Sequence, residues 1–193
     1  GEDFTDSSPN NETILNNGAS IDASGKFGSA FSFTGAGSSF TYVSGSNVDW
    51  YQQFQTDFTL DFWYYMPSIP SDYVGFCGQS EGGGSTDKWM ITWDYNGLWN
   101  GSTPSLVFGI SQAGVGESLN GVPWSPTAGL WNHLAIVRSG NTIYFFENGT
   151  SLGTKTVTLE VPVITSEHRI GADGEGWKGL PGKMDEFRLM NRE

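Results

Sequence analysis

The stretch FTLDFWYYM, residues 58–66, alternates between two kinds of side chain along its whole length. Its even-numbered positions are all apolar or aromatic: Phe58, Leu60, Phe62, Tyr64 and Met66. Its odd-numbered positions mix polar and aromatic side chains: Thr59, Asp61, Trp63 and Tyr65. Because successive side chains of a β-strand point to opposite faces, this pattern predicts a strand. We place it centrally in an antiparallel sheet, with the even face packed on a second sheet and the odd face semi-polar, as a shallow groove or under loops.

Short segments of similar character recur along the rest of the chain. With 27 glycines, 15% aromatic residues and no window that keeps the apolar spacing of an amphipathic helix, the composition favours strands joined by turns. The other segments predicted as strands are 13–15, 30–34, 40–43, 73–77, 88–93, 106–110, 130–138, 142–146, 154–159, 169–172 and 183–190. We therefore predict an all-β fold, a two-sheet antiparallel β-sandwich of jelly-roll type, formed by the single domain 1–193.

Three connections carry specific predictions. Asn148-Gly149 predicts a type I′ hairpin turn, because both central residues of that turn need positive φ. The Gly/Ser turn between 30–34 and 40–43 predicts a hairpin-like pair. Residues 112–128, which are polar, Gly-rich and contain Trp124, are predicted as one long loop, and loops of that length are usually functional or disordered.

The balance of charge is strongly acidic. Nine Lys and Arg residues stand against 21 Asp and Glu residues, so the formal net charge is −12 and the pI is near 4.3. Nucleic-acid binding is not expected on this ground, since it depends on cations that neutralise phosphates. The carboxylates suit divalent cations with oxygen ligands, and they equally suit simple solubility in a salty or extracellular medium.

The single cysteine and the two ends of the sequence also bear on the structure and origin of the domain. Cys77 stands alone on a short apolar run, so no internal disulfide can form and a buried thiol is expected. There is no secretory signal pattern and no apolar run long enough to enter a bilayer. The start at Gly1 and the end at Glu193, just after a strand-like segment, suggest a domain cut from a longer polypeptide.

Four parts of the chain in this order resemble the laminin G-like and pentraxin-like jelly rolls of the concanavalin A-like lectin/glucanase superfamily. They are the polar turn at residues 6–11 followed by KFGSAFSFTG, the strand FTLDFWYYM, the block LWNHLAIVRSGNTIYFFENGTSLG, and the closing RIGADGEGWKGLPGKMDEFRLMNR. Trp131, Asn148-Gly149 and Asp185-Glu186 match the family's core-strand Trp, hairpin turn and closing acidic pair. The resemblance spans nearly the whole chain, and it is specific for the fold while saying little about function.

The resemblance implies a structural calcium ion and a setting outside the cell. In similar domains calcium often clamps the closing strand to the N-terminal segment, which singles out Asp185, helped by a carbonyl near Phe27-Gly28 or by an N-terminal Asp. No EF-hand-like string of ligands is present, and a solvated carboxylate is the alternative. Similar domains occur in secreted glycan-binding proteins, in polysaccharide-degrading enzymes as accessory modules, and in phage tail or capsid decoration proteins.

Catalytic residues are not expected. Glucanases of the superfamily carry Glu-x-Asp-x-x-Glu or Glu-x-Asp-x-Glu on one strand, and no such string occurs here. Asp185 and Glu186 are adjacent, so a strand would point them to opposite faces, and Asp61 has no acidic residue two positions away. His133 and His168 lack a nucleophile motif such as Gly-x-Ser-x-Gly.

Carbohydrate binding needs aromatic faces for pyranose rings and planar polar groups for hydroxyls. Four of the eight Trp residues are predicted to pack in the core: Trp63, Trp89, Trp93 and Trp131. The candidate carbohydrate-binding residues lie in Gly-rich loops: Trp99, Asn100, Trp124, Asp173, Glu175 and Trp177. Anchoring of these loops is the alternative role.

The leading hypothesis is a non-catalytic carbohydrate-binding or adhesion module that recognises a glycan or cell-surface polysaccharide. The alternative is a structural or decoration domain of a phage virion or cell-surface protein that contacts other surface proteins and has no glycan ligand. The third is a glycoside hydrolase without the usual acidic motif. No nucleic acid and no membrane insertion are expected, and the location is extracellular, or the virion surface if the protein is phage-encoded.

Overall fold

A computed structural model describes residues 3–9, 11–37, 40–43, 57–97 and 103–191. In these ranges the chain forms two seven-stranded sheets and contains no helix. Sheet A has the spatial order β1 (Ile14–Asn17), β4 (Phe40–Val43), β13 (His168–Ile170), β6 (Val74–Ser80), β7 (Lys88–Asp94), β8 (Ser105–Gln112) and β9 (Gly116–Pro123). Sheet B has the spatial order β12 (Thr150–Thr156), β11 (Thr142–Glu147), β10 (Trp131–Ser139), β5 (Phe58–Tyr65), β14 (Lys178–Met190), β3 (Ala30–Ala36) and β2 (Ser20–Asp22). The neighbouring strands pair antiparallel, as predicted for a jelly-roll sandwich.

Strand β5 lies in the middle of sheet B, between β10 and β14. The five even-numbered side chains of residues 58–66 are fully buried, which confirms the predicted inner face. Aromatic contacts join the two sheets: the ring centroids of Phe62 and Phe76 lie 5.4 Å apart, and those of Phe58 and Phe108 lie 5.8 Å apart. Burial of large aromatic side chains between the sheets is the main source of stability here, at about 25 cal/mol per Å² of apolar surface.

The hairpin formed by β11 and β12 also follows the prediction. Asn148 and Gly149 have φ of 50° and 77°, the left-handed values that a type I′ turn requires. Asn148 has a second role, because its side chain bonds the Asn132 amide and the His133 backbone N–H. Cys77 is buried, as expected for a small apolar side chain, and burial raises the pKa of its thiol.

Two local predictions are wrong. Residues 112–128 are not one loop, since they contain β9, which pairs with β8 at the edge of sheet A. Only Val122 of this strand enters the main core, so the edge strand lacks the apolar alternation by which strands are recognised. Strands β3 and β4 do not form a hairpin, because β3 lies in sheet B and β4 in sheet A.

The Trp residues on strands divide between the core and the surface. Trp89 and Trp93 are buried between the sheets, as predicted. Trp63 and Trp131 were also predicted to pack in the core, but both are half-buried on the outer face of sheet B. The reason is parity: Trp63 belongs to the odd-numbered face of β5, and Trp131 lies opposite Tyr65 of that same face.

Candidate ligand-binding surface

The predicted site residues fall into three groups. Trp99 and Asn100 lie outside the described residues. Trp124 does not present its ring to solvent: it is 7% exposed and packs against Tyr64 and Phe76, with centroid distances of 6.0 and 6.3 Å. Asp173, Glu175 and Trp177 are brought together on the segment 171–179, which runs from the end of β13 into the start of β14.

The segment 171–179 passes directly over the outer face of β6. A Cβ atom on Gly75 would lie 2.2 Å from the backbone nitrogen of Asp173 and 2.6 Å from the carbonyl oxygen of Lys178. A Cβ atom on Gly78 would lie 2.9 Å from the backbone nitrogen of Gly174. Glycine at these two positions therefore lets the segment approach the sheet at backbone contact distance.

Asp173 holds the segment in shape. Its buried carboxylate accepts hydrogen bonds from the backbone N–H groups of Trp177 (2.9 Å) and Lys178 (3.2 Å). Burial raises the pKa of Asp173, and burial together with the nearby Asp173 charge raises the pKa of Tyr73. Asp173 therefore fixes the shape of the segment.

Trp177 stands out from this fixed base. Its side chain is 71% exposed, the most exposed large apolar side chain among the residues described. Glu175, two positions earlier, forms an ion pair with Lys88 of β7 at 2.5 Å. Lys88 lines an open groove of about 200 Å³ on sheet A, which the apolar side chains of Met90 and Leu119 also line. We call Trp177, Glu175, Lys88 and this groove the Trp177 surface.

A second surface was missed as a candidate site. On the outer face of sheet B, Tyr65 and Trp131 lie side by side with centroids 5.7 Å apart, and Trp63 and His133 lie side by side at 5.2 Å. We call these four half-buried rings the sheet B platform. The alternation of residues 58–66 predicted a semi-polar outer face, but only the pairing of β5 with β10 shows that the two strands join their rings into one block.

A buried carboxylate supports the sheet B platform. Asp61, next to Trp63 on the odd-numbered face, accepts hydrogen bonds from Arg188 at 2.6 Å and pairs with Nε2 of His133 at 2.9 Å. Arg188 reaches this face because a β-bulge follows Asp185, with Glu186 at φ 50°. The cluster fixes the orientation of the His133 ring. The Asp61 carboxylate is itself bonded to these two side chains of the protein.

Asp185, the predicted calcium ligand, lies buried against the segment that contains Phe27. Its buried carboxylate accepts hydrogen bonds from the backbone N–H groups of Phe27 and Glu186, each at 2.9 Å. In the described residues no three His, Cys, Asp or Glu side chains are grouped to hold a metal ion, whereas calcium takes roughly six to eight oxygen ligands. The contact with the Phe27 segment was predicted, but it runs through N–H donors, and calcium at Asp185 stays a prediction.

A family model described as the concanavalin A-like lectin/glucanases superfamily matches residues 36–193. The chain belongs to this superfamily. In this chain, the Trp177 surface and the sheet B platform lie on different sheets of the sandwich. No curated protein sequence matches the chain.

Solved structures share the superfamily fold at low sequence identity. The binding domain of Paraclostridial Mosquitocidal Protein 1 superposes with a TM-score of 0.71 and 14% identity over 99% of this chain and 47% of that one. Domain 4 of AbnA, a GH43 extracellular arabinanase from Geobacillus stearothermophilus solved with arabinotriose, gives 0.67 and 18% over 97% and 86%. The binding domain of Botulinum Neurotoxin DC in complex with SialylT gives 0.70 and 16% over 98% and 45%. This superfamily member thus spans under half of each toxin chain but most of the arabinanase domain.

In the part of the chain that the structure describes, no helix has the length and apolar character needed to cross a bilayer.

The close approach of the segment 171–179 to β6 leads to a test of the Trp177 surface. Gly75→Ala is expected to destabilise the protein by about 1–3 kcal/mol, because the new methyl group would overlap backbone atoms of Asp173 and Lys178. Gly83→Ala is the matched control, since its methyl group would only touch the Trp177 ring at 4.0 Å. Urea unfolding followed by Trp fluorescence would compare the two, and equal midpoints would contradict the predicted contact.

Proposed function

We propose that this domain is a non-catalytic carbohydrate-binding module that acts outside the cell, in adhesion to a glycan or cell-surface polysaccharide. The Trp177 surface is the proposed site, with the ring of Trp177 stacking on a sugar. The observation that carries the proposal is the exposure of Trp177 on a segment that buried Asp173 holds rigid. An exposed aromatic ring on a fixed base offers stacking area at a low cost in conformational entropy.

Polar groups around Trp177 suit sugar hydroxyls. Glu175, two positions before Trp177, is mostly buried and paired with the mostly buried Lys88, so an acceptor and a donor are held in fixed positions on this part of the surface. The groove next to Lys88 is open and lined largely by apolar atoms, as in shallow sugar sites with few placed polar groups. Two of the similar structures, an arabinanase domain and a toxin binding domain, were solved with arabinotriose and with SialylT, which supports a glycan as the ligand class.

Trp177→Ala is the substitution that tests this proposal. We expect at least about tenfold weaker binding to the glycans that the wild type retains in a glycan array or affinity electrophoresis. The free energy of unfolding should change by no more than about 0.5 kcal/mol, because the side chain is largely exposed. Leu130→Ala is the matched control, since Leu130 is another exposed apolar side chain, at 58%.

The same screen separates the other hypotheses. Retained binding in Trp177→Ala would show that the Trp177 surface is not the site, and Trp99→Ala would then test the remaining loop Trp. A blank for the wild type across neutral and acidic glycans would overturn the glycan proposal. Melting curves measured with calcium and with a chelator would test the calcium prediction, because a ligand bound only to the folded state raises the melting temperature.

A further inference from the structure

Lys26 lies over the sheet B platform. Its ammonium nitrogen is 4.2 Å from the centroid of the Trp63 ring and 5.8 Å from that of Phe27. Phe27 itself is 57% exposed and meets the edge of Trp63 at 6.0 Å. A cation at this distance from an indole face is held there by the negative potential of the ring.

The position of Lys26 is built by the backbone around it. The N–H of Gly25 donates to the carbonyl of Gly28 at 2.9 Å, which closes a tight turn. At the tip of this turn the N–H of Phe27 donates to the buried carboxylate of Asp185 at 2.9 Å. Asp185, the residue predicted to bind calcium, therefore acts as a positioning residue that fixes the Lys26 turn to the platform.

Two carboxylates near the sheet B platform are engaged with other partners. Asp61 is paired with Arg188 and His133, and Asp22 is paired with Lys183 at 2.9 Å. Within the described ranges, no carboxylate forms an ion pair with Lys26. In a chain with a net charge of −12, this surface thus presents a cation that no described acidic side chain neutralises.

The rings beside Lys26 form a surface on which a sugar ring can stack. Tyr65 lies two positions after Trp63 on the same face of β5, so the two side chains stand about 7 Å apart along the strand. Trp131 lies directly opposite Tyr65 and widens the surface across the strands. The ammonium of Lys183, 5.7 Å from the Tyr65 ring, borders the same area.

We propose that the sheet B platform is a second glycan site, specific for a carboxylated pyranose such as a uronic or sialic acid. The sugar ring stacks on Trp131 and Tyr65, and its carboxylate pairs with the ammonium of Lys26. Aromatic stacking alone accepts neutral and acidic sugars alike, so Lys26 is the residue that selects the acidic one. This inference goes beyond the Trp177 surface, because it depends on different residues on the other sheet.

Isothermal titration calorimetry with two pairs of sugars tests the proposal. The pairs are trigalacturonate with galactotriose, and sialyllactose with lactose, so each acidic probe has a neutral match. We expect at least one acidic probe to bind about tenfold more tightly than its neutral match. Its affinity should fall at high salt. Failure of both acidic probes to bind, or equal binding of acid and neutral match, would overturn the proposal.

Three variants locate the binding. Lys26→Gln should lower affinity for the acidic probe about tenfold and remove the preference over the neutral match, which is the loss expected for one charged contact. Lys155→Gln makes the same change of charge on the edge strand β12 and should leave both affinities unchanged. Trp131→Ala should weaken the acidic and the neutral sugar together, because it removes stacking area from both.

The outcomes separate this site from the Trp177 surface. Trp177→Ala should leave the acid preference intact, whatever it does to other glycans. If Trp177→Ala removes the preference while Lys26→Gln keeps it, the acidic sugar binds at the Trp177 surface and the platform proposal is wrong. Lys26→Gln decides this even if Trp131→Ala fails to fold, since the Lys26 side chain lies on the outer surface of the sheet.

Discussion

Replacement of Trp89 by alanine is expected to lower the free energy of unfolding by about 3–5 kcal/mol. Trp89 is fully buried between the two sheets, where its ring contacts those of Phe108 and His168. Its indole N–H donates to Oε1 of Gln79 at 2.9 Å, so the substitution leaves both a cavity and a buried acceptor without that donor. A loss of this size is a large part of the stability of a typical domain.

Two controls identify the source of the loss. Trp89→Phe keeps most of the ring volume but removes the N–H, and it should cost less than Trp89→Ala. Trp177→Ala removes the same side chain from an exposed position and should cost no more than about 0.5 kcal/mol. Urea unfolding at constant pH provides the comparison. Similar unfolding midpoints for Trp89→Ala and Trp177→Ala would contradict the packing described here.

The protein is expected to lose stability as the pH falls from about 6.5 towards 5, and His168 is expected to cause this loss. Burial lowers the pKa of His168 from 6.5 to about 3, because the folded protein keeps its ring from water next to Trp89 and Phe187. Below pH 6.5 the unfolded chain binds a proton at His168 and the folded chain does not. Stability should therefore fall by up to about 1.4 kcal/mol per pH unit in this window.

Two carboxylates with lowered pKa values respond to pH below this window. Asp22 and Asp72 have lowered pKa values through their hydrogen bonds to Lys183 and Lys178, and their contributions are lost only as the pH falls to about 4 and below. Asp173 acts with the opposite sign, since burial raises its pKa and acid favours the folded form. The dependence of unfolding on pH, measured at pH 7, 6 and 5, should flatten in His168→Leu. An equal slope in wild type and His168→Leu would contradict the assignment.

Much of the local architecture follows from the residues alone. Alternation at positions 58–66 predicted the strand β5 and which of its faces is buried, because a side-chain period of two residues is a property of the strand itself. Asn148-Gly149 predicted its turn for an equally local reason, the positive φ that both residues adopt. Composition excluded helices as the main element and predicted the all-β sandwich.

Which of the aromatic side chains reach solvent depends on the tertiary structure. A period of two residues says that two faces differ, but it does not say what covers each face, so Trp63 and Trp131 were assigned to the core with Trp89 and Trp93. Trp124 follows an edge strand with weak alternation, and long-range packing on Phe76 buries it. Sequence patterns report neighbours along the chain, whereas these outcomes depend on contacts between distant segments.

Asp185 shows the same division at a single residue. Its place in the closing strand and its contact with the Phe27 segment were predicted from the family resemblance, but the hydrogen bond that it accepts from the N–H of Phe27, 158 residues away in the chain, was not. That bond fixes Lys26 over the sheet B platform, and no local pattern could have connected the three. The strands, their buried face and the hairpin turn follow from the residues alone, because those depend on backbone geometry and short-range alternation. The two proposed binding surfaces depend on the tertiary structure, because each is assembled from segments that the fold brings together.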